Sequence, residues 1–438
     1  MKIDFTREIA LKILYKIEEE KGYSNLVLDE YLEKERQRLN VKDINLISEI
    51  VYGTVTWKLT IDQILQKYSK IKLNKISKWV KIILRMGIYQ IVFLDKIPKS
   101  AAVNESVNLC KKYGYKSVNF VNAILRKVEK SDYEELKQIE DDVDRISMLY
   151  SMPKWIVEKL IHQYGVSKTE EICKYSNSKP KTTIRVNTLK IGRQELERKL
   201  QEREIVYEPS EMPDFLFLKN VKNIANLDLF QNGFFTIQDE GAGQIGYILN
   251  PKPGEKVLDA CSAPGGKTTH LAEIMENKGE IIAWDLHRNR VQLVEENAKR
   301  LGIQIIHTEE KDALISDTRY YEAFDKILLD VPCMGIGVLK RKPDIKWQKE
   351  EEDIVEIQKV QENILKLCIQ YLKPGGEVVY STCSILKEEN EEVIQKLMTH
   401  QKTERNGQAN RFEIVEQKNI LPDKNTDGFF VCKIRKNS

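Results

Sequence analysis

From Gly254 onward, short apolar runs alternate with amphipathic helical stretches, and this rhythm constrains the fold of the 438-residue chain more than any other feature. The runs are KVLDAC from Lys256, EIIAWDL from Glu280, IQIIHT from Ile303, DKILLDV from Asp325 and GEVVYST from Gly376. Strands separated by helices in this way are βαβ units, which predict a parallel, doubly wound α/β sheet with helices on both faces. Ligands of such sheets lie at the carboxyl ends of the strands, so chemistry is expected in the residues that follow each run.

The first run continues as DACSAPGGKTTH, Asp259 to His270, into a helix expected near Thr268. Gly266-Lys267-Thr268 matches the last positions of a phosphate-binding P-loop, but that motif needs a glycine where Cys261 stands, which disfavours a nucleoside triphosphate. Asp285 ends the second run, 20 residues beyond Gly265, the spacing at which an acid holds ribose hydroxyls. Asp312 follows the third run and Asp330 ends the fourth, so four successive strand ends carry an aspartate. Such acids suit a ligand with a ribose, an amino group and a positive charge. S-adenosylmethionine fits that description better than NAD, whose pyrophosphate the acids would repel.

Seven cysteines are scattered without a CxxC pair or neighbouring histidines, which points away from disulfides and metal. Cys110, Cys173, Cys368 and Cys432 read as small buried hydrophobes. Cys333 in DVPC and Cys383 in STCS differ, because both stand at strand ends facing the expected ligand crevice. A thiolate added to C6 of cytosine turns C5 into an enamine carbon able to attack an electrophilic methyl group, which is covalent catalysis. Asp330, if protonated, would hydrogen-bond cytosine N3 and stabilise the charge gained on addition.

Ahead of this domain, apolar residues from Arg7 to about Lys130 recur at helical spacing, as in Ile9, Ile13 and Ile17, and predict an all-helical domain over residues 1–131. Through Lys130 there are 25 basic and 15 acidic residues, a balance of +10 that leaves −7 for the remainder. Lys67, Lys70, Lys72, Lys75, Lys78 and Lys81 follow one another without an intervening acid, a field that favours a polyanion. The acidic stretch 132–145 reads as a connector, 146–236 as a small α+β module with a strand at PKTTIRVNTLK, and 237–438 as the α/β domain. No apolar run approaches the ~20 residues needed to span a bilayer, and Met1 to Ala10 lacks the apolar core of a secretory signal, so a cytoplasmic protein without a membrane partner is expected.

Together these motifs resemble the RNA 5-methylcytosine methyltransferase family, and the resemblance covers nearly the whole chain. It implies that Cys261, Ser262, Ala263, Pro264, Gly265, Gly266 and Lys267, with Asp285, Asp312 and Asp330, contact S-adenosylmethionine in a Rossmann-like domain. It further implies that Cys383 is the nucleophile and that Cys333 assists product release. The motif usually written DAPCSG here reads DVPCMG, so Val331 and Met334 depart from the pattern. The lysine-rich LKRKPDIKW, Leu339 to Trp347, and the terminal DGFFVCKI also match the family's style. The helical domain resembles the antitermination factor NusB, and RVNTLK, Arg185 to Lys190, resembles the start of the family's small RNA-binding module. The implied partner is small-subunit (16S) rRNA before or during assembly, with no DNA. The other readings are the same chemistry on tRNA or 23S rRNA, and a non-catalytic NusB-like RNA-binding assembly factor.

Overall fold

A computed structural model of the chain describes residues 3–20, 22–219, 221, 223–403 and 411–437. It forms two compact units, one of residues 1–177 with 339–351, the other of residues 178–338 with 352–438. No helix among the described residues is long and apolar enough to cross a membrane.

The first unit is helical throughout. Its central helix, Lys78–Phe93, is buried at every position from Ile82 to Val92, including Arg85, which pairs with Asp62, and Gln90, which accepts from Arg7. Helix Val41–Thr56 starts at a capping box in which Asn40 accepts from the Asp43 backbone and Asp43 accepts from the Asn40 backbone, satisfying two otherwise orphaned donors. Its Gly53 lies so close to Tyr89 that a Cβ would overlap the ring at 1.8 Å.

The acidic stretch holds secondary structure of its own: Ser131–Glu135 and Asp142–Leu149 are helices. Asp132 accepts from Lys67 and from Tyr68, each at 2.7 Å, and Glu135 also pairs with Lys67. Lys78 pairs with Glu19, so two of the six consecutive lysines neutralise acids of their own unit. The division between compact units accordingly falls after Asn177, and helices Lys154–Tyr164 and Val166–Ser176 belong to the helical unit.

Residues 339–351, which include the lysine-rich Leu339 to Trp347, fold into the same unit. Lys346 is 1% exposed and donates to the Thr56 and Ser151 carbonyls at 3.1 Å and to Asn177 Oδ1 at 2.7 Å. The Trp347 indole donates to the Val55 carbonyl at 2.8 Å, and Asp344 accepts from both the backbone and hydroxyl of Ser24.

The second unit holds two sheets. β1 (Thr182–Val186), β2 (Tyr207–Pro209), β3 (Phe215–Leu218) and β4 (Phe235–Ile237) form an antiparallel sheet in the order β2-β3-β1-β4. β5 (Lys256–Asp259), β6 (Glu280–Asp285), β7 (Ile306–Glu310), β8 (Phe324–Asp330), β9 (Leu372–Thr382), β10 (Phe412–Ile420) and β11 (Phe429–Lys436) form the other, in the order β10-β11-β9-β8-β5-β6-β7.

Neighbours from β7 to β9 are parallel, as the rhythm of runs predicts. The sheet is nevertheless mixed, because β11 runs antiparallel to β9 and β10 antiparallel to β11. Strand pleating sends successive side chains to opposite faces. Leu258, Ile282, Leu329 and Val378 therefore enter one core with Trp284 and Tyr371. Val257, Ile281, Leu328 and Val379 enter the other with Leu249 and Leu271. Burial on both faces is what makes these strands continuous apolar runs in the sequence.

Candidate active site

Chain order reverses between β5 and β8, the topological switch at which open sheets bind ligands. The loop after β5 is shaped by its own backbone. Gly265 sits at φ +97° at the N-cap of helix Gly266–Ile274, and a Cβ there would stand 3.1 Å from Val294 Cα. A Cβ at Gly266 would meet nothing within 4 Å, so the backbone borders open space there. Ser262 donates through its amide and hydroxyl to the Trp284 carbonyl at 2.8 and 2.9 Å, and the Ala263 amide donates to Asp285 Oδ2 at 3.2 Å. The end of β6 thus holds the loop that leaves β5.

Asp259 is 1% exposed; its Oδ2 accepts from Thr268 at 2.7 Å and its Oδ1 has no partner among the described residues. Burial pushes this carboxyl from its ordinary 3.8 up to about 7. The folded chain therefore holds a proton that the unfolded chain releases between those values, so the associated stability is present below about pH 4 and lost as pH rises through about 7. Denaturant titration of the cofactor-free chain should show stability falling across that window and Asp259→Asn should flatten the fall; identical profiles for the two proteins would contradict it.

Lys267 and Asp330 meet at 2.7 Å, and the second Asp330 oxygen accepts from Ser381 at 2.9 Å. Burial alone would depress the Lys267 ammonium, but the adjacent Asp330 carboxylate outweighs it and holds the pKa above its ordinary value. Register pairs Asp330 with Ser381, so the turns after β8 and β9 start side by side. They bring Cys333 Sγ and Cys383 Sγ to 3.0 Å, and the Cys383 amide donates to Cys333 Sγ at 3.3 Å. Hydrogen bonding with Cys383, reinforced by burial, pushes the Cys333 thiol well up, so Cys333 stays protonated at neutral pH. Cys333 and Cys383 are partly buried residues, as is Cys261, whereas Cys110, Cys173, Cys368 and Cys432 are buried.

The structure thus gathers Asp259, the Cys261–Lys267 loop, Asp285, Asp330, Cys333 and Cys383 at one edge of the sheet. Asp312 lies at the same edge, two residues beyond β7, where Oδ1 accepts from the Leu314 amide at 2.8 Å.

Several supporting residues escaped the sequence reading. Arg185 of β1, expected in an RNA-binding module, is fully buried and pairs with Glu273 at 2.8 and 2.9 Å while donating to the Gly266 carbonyl at 2.9 Å. Gln361, Glu389 and Asn390 surround the cysteine turns and are fully buried. The run EEN from Glu388 to Asn390, close behind STCS, was the available signal.

Comparison with known proteins matches three parts of the chain. A family model described as 16S rRNA methyltransferase RsmB/F matches residues 246–435, one for the NusB family matches 5–130, and one for an RsmF/B-like ferredoxin-like domain matches 152–225. The chain is 38% identical to the probable ribosomal RNA small subunit methyltransferase B of Bacillus subtilis, over all of both chains. It is 32% identical to ribosomal RNA small subunit methyltransferase B of Shewanella oneidensis, over 98% of this chain and 99% of that one. Among solved structures, PH0851 superposes over all of both chains with a TM-score of 0.81 at 26% identity. A methyltransferase homologue from Pyrococcus horikoshii covers 68% of this chain and all of its own, with a TM-score of 0.59 at 29% identity.

Proposed function

The chain belongs to the 16S rRNA methyltransferase RsmB/F family, and from that premise we propose that it methylates C5 of a cytosine in small-subunit rRNA through a covalent Cys383 adduct. The observation that carries the chemistry is the pair of thiols 3.0 Å apart beside the Lys267–Asp330 ion pair.

The site suits S-adenosylmethionine, the cofactor of this methyltransferase family. The unpartnered Asp259 Oδ1 calls for a donor, the space before Gly266 accepts a ligand against the backbone, and acids at four strand ends favour a cationic, ribose-bearing molecule. Cys261 to Lys267, Asp285, Asp312 and Asp330 would hold it. When bound, it supplies the electrophilic methyl group.

The chain's own residues do the rest. Cys383 Sγ adds to C6, and the electron pair of the C5–C6 double bond becomes available at C5. Asp330 donates to N3 in its protonated form, in which it no longer pairs with Lys267 as a carboxylate, and the Lys267 ammonium offsets the negative charge the ring gains. After methyl transfer the C5 proton passes to a base, a water molecule of the open site, while its electron pair restores the double bond and the pair of the Sγ–C6 bond returns to Cys383 as thiolate. Cys333 assists this release. The target base lies in a loop from which it can turn out into the pocket, since stacked cytosine does not expose C6 to a thiol.

Bisulfite sequencing of total RNA from cells lacking the protein, complemented by the unaltered chain or by Cys383→Ala, tests the reading. One protected cytosine in 16S rRNA should disappear and return only with the unaltered chain. A site lost from tRNA or 23S rRNA would overturn the substrate and keep the chemistry, and no lost site would favour the assembly-factor reading. In vitro, Cys333→Ala should accumulate a protein–RNA adduct on a denaturing gel that the Cys333→Ala/Cys383→Ala double variant lacks; adduct in the double variant would remove Cys383 as nucleophile.

A further inference from the structure

We propose that Glu389 is a positioning residue that fastens the Cys333 turn to the Cys383 turn and so sets the 3.0 Å separation of the two sulfurs. Its Oε2 accepts from the Met334 amide at 2.8 Å, and its Oε1 accepts from the Ser384 hydroxyl. Met334 and Ser384 are the residues immediately after the two cysteines. One carboxyl group therefore holds the downstream neighbour of each thiol, with a different oxygen for each.

The flanks on the other side are held by residues that touch or adjoin Glu389. Gln361, on helix Asp353–Cys368, donates to Glu389 Oε2 at 3.1 Å and to the Pro332 carbonyl at 2.9 Å, just ahead of Cys333. Asn390 Oδ1 accepts from Thr382 at 2.6 Å, just ahead of Cys383, and Asn390 Nδ2 donates to the Ser384 carbonyl at 3.1 Å. The Tyr380 hydroxyl donates to the Glu389 carbonyl at 2.6 Å, tying the brace to β9. All four chain neighbours of the two thiols are thus bound by Gln361, Glu389 and Asn390.

These three side chains are fully buried, as are Thr382 and Ser384. Burying a carboxyl group is unfavourable unless its oxygens are hydrogen-bonded, and an apolar residue would fill the volume at lower cost. What an apolar residue lacks is two directed acceptors joining two turns. A thiol that must reach C6, beside another that assists its departure, needs that precision, because misplacing a reacting group by about 1 Å costs about 100-fold in rate.

The inference rests on the reading that both thiols act on one cytosine, and its test includes a measurement that does not. Phenylarsine oxide bridges two thiols only when they are close, losing water as two arsenic–sulfur bonds form. The unaltered full-length chain should be captured through Cys333 and Cys383, with Cys333→Ala as the control that is not. Glu389→Ala should slow capture about tenfold or more and lower kcat about 100-fold with KM for S-adenosylmethionine unchanged. Glu389→Gln should restore both, because the amide oxygen accepts from Met334 and Gln361 while the amide nitrogen donates to the Ser384 hydroxyl. If Glu389→Ala does not fold, Gln361→Ala, which spares the carboxyl group, should shift capture in the same direction by less.

Failure of the unaltered chain to be captured, or equal capture rates in the unaltered chain, Glu389→Ala and Gln361→Ala, would overturn the positioning role. Slowed capture in a chain that methylates no RNA would support the brace and overturn the reaction assigned to it.

Discussion

Cys383→Ala should bind S-adenosylmethionine as the unaltered chain does and transfer no methyl group to RNA. Removal of the nucleophile from a covalent enzyme costs up to about 10⁶-fold in rate, because the bond-forming atom has no substitute. The cofactor should still bind, because its loop is organised without Cys383. Trp284 and Asp285 hold Ser262 and Ala263, and Arg185 holds the Gly266 carbonyl. Calorimetric titration with the cofactor, run beside a methyl-transfer assay on rRNA, separates the two effects. Cofactor affinity that fell together with activity would identify Cys383 as a structural residue and remove it from the chemistry.

Arg185→Ala should produce the largest loss of stability. The guanidinium is fully buried and donates to both Glu273 oxygens, to the Gly266 carbonyl, to Thr269 Oγ1 at 3.2 Å and to Gln238. Without it, Glu273, whose side chain is 3% exposed, is left as an unpaired buried carboxyl group. Breaking a buried pair in this way costs about 3–5 kcal/mol, more than the pair itself is worth. A double variant, Arg185→Met with Glu273→Leu, should recover much of that stability, because neither charge is then stranded.

The same double variant should not fully recover cofactor affinity, since the Gly266 carbonyl then loses its charged donor and keeps only Thr269 at 3.2 Å and Gln238 at 3.3 Å. Denaturant unfolding and cofactor titration on the three proteins check both halves. An Arg185→Ala protein within about 1 kcal/mol of the unaltered chain would show that the pair is not the anchor inferred here.

The reading from sequence succeeded in placing residues whose position is set by the local chain. Asp259, Asp285 and Asp330 end strands whose apolar runs are continuous because both sheet faces are covered, and the glycines after β5 mark backbone that must turn tightly. It left unread whatever depends on a partner far away in the chain. Arg185 falls within the matched ferredoxin-like domain, as expected of the small module, but its pairing with Glu273, 88 residues on, has no local mark. Lys346 stands among basic residues, and its acceptors Thr56 and Ser151 precede it by 290 and 195 residues. The antiparallel course of β11 also went unread, because an apolar strand carries no local mark of its direction.

By itself, then, the sequence determined the order of the parallel strands and their helices, and that Cys261, Cys333 and Cys383 follow strands at one edge of the sheet. Hydrophobic periodicity and backbone geometry are local, and they can be read within a few residues. Only the tertiary structure decided that the thiols stand 3.0 Å apart, that Lys267 meets Asp330, and that Glu389 joins the two cysteine turns. Hydrogen bonds and ion pairs act over a few ångströms, and which groups come that close depends on strand pairing and register, to which the whole sheet contributes.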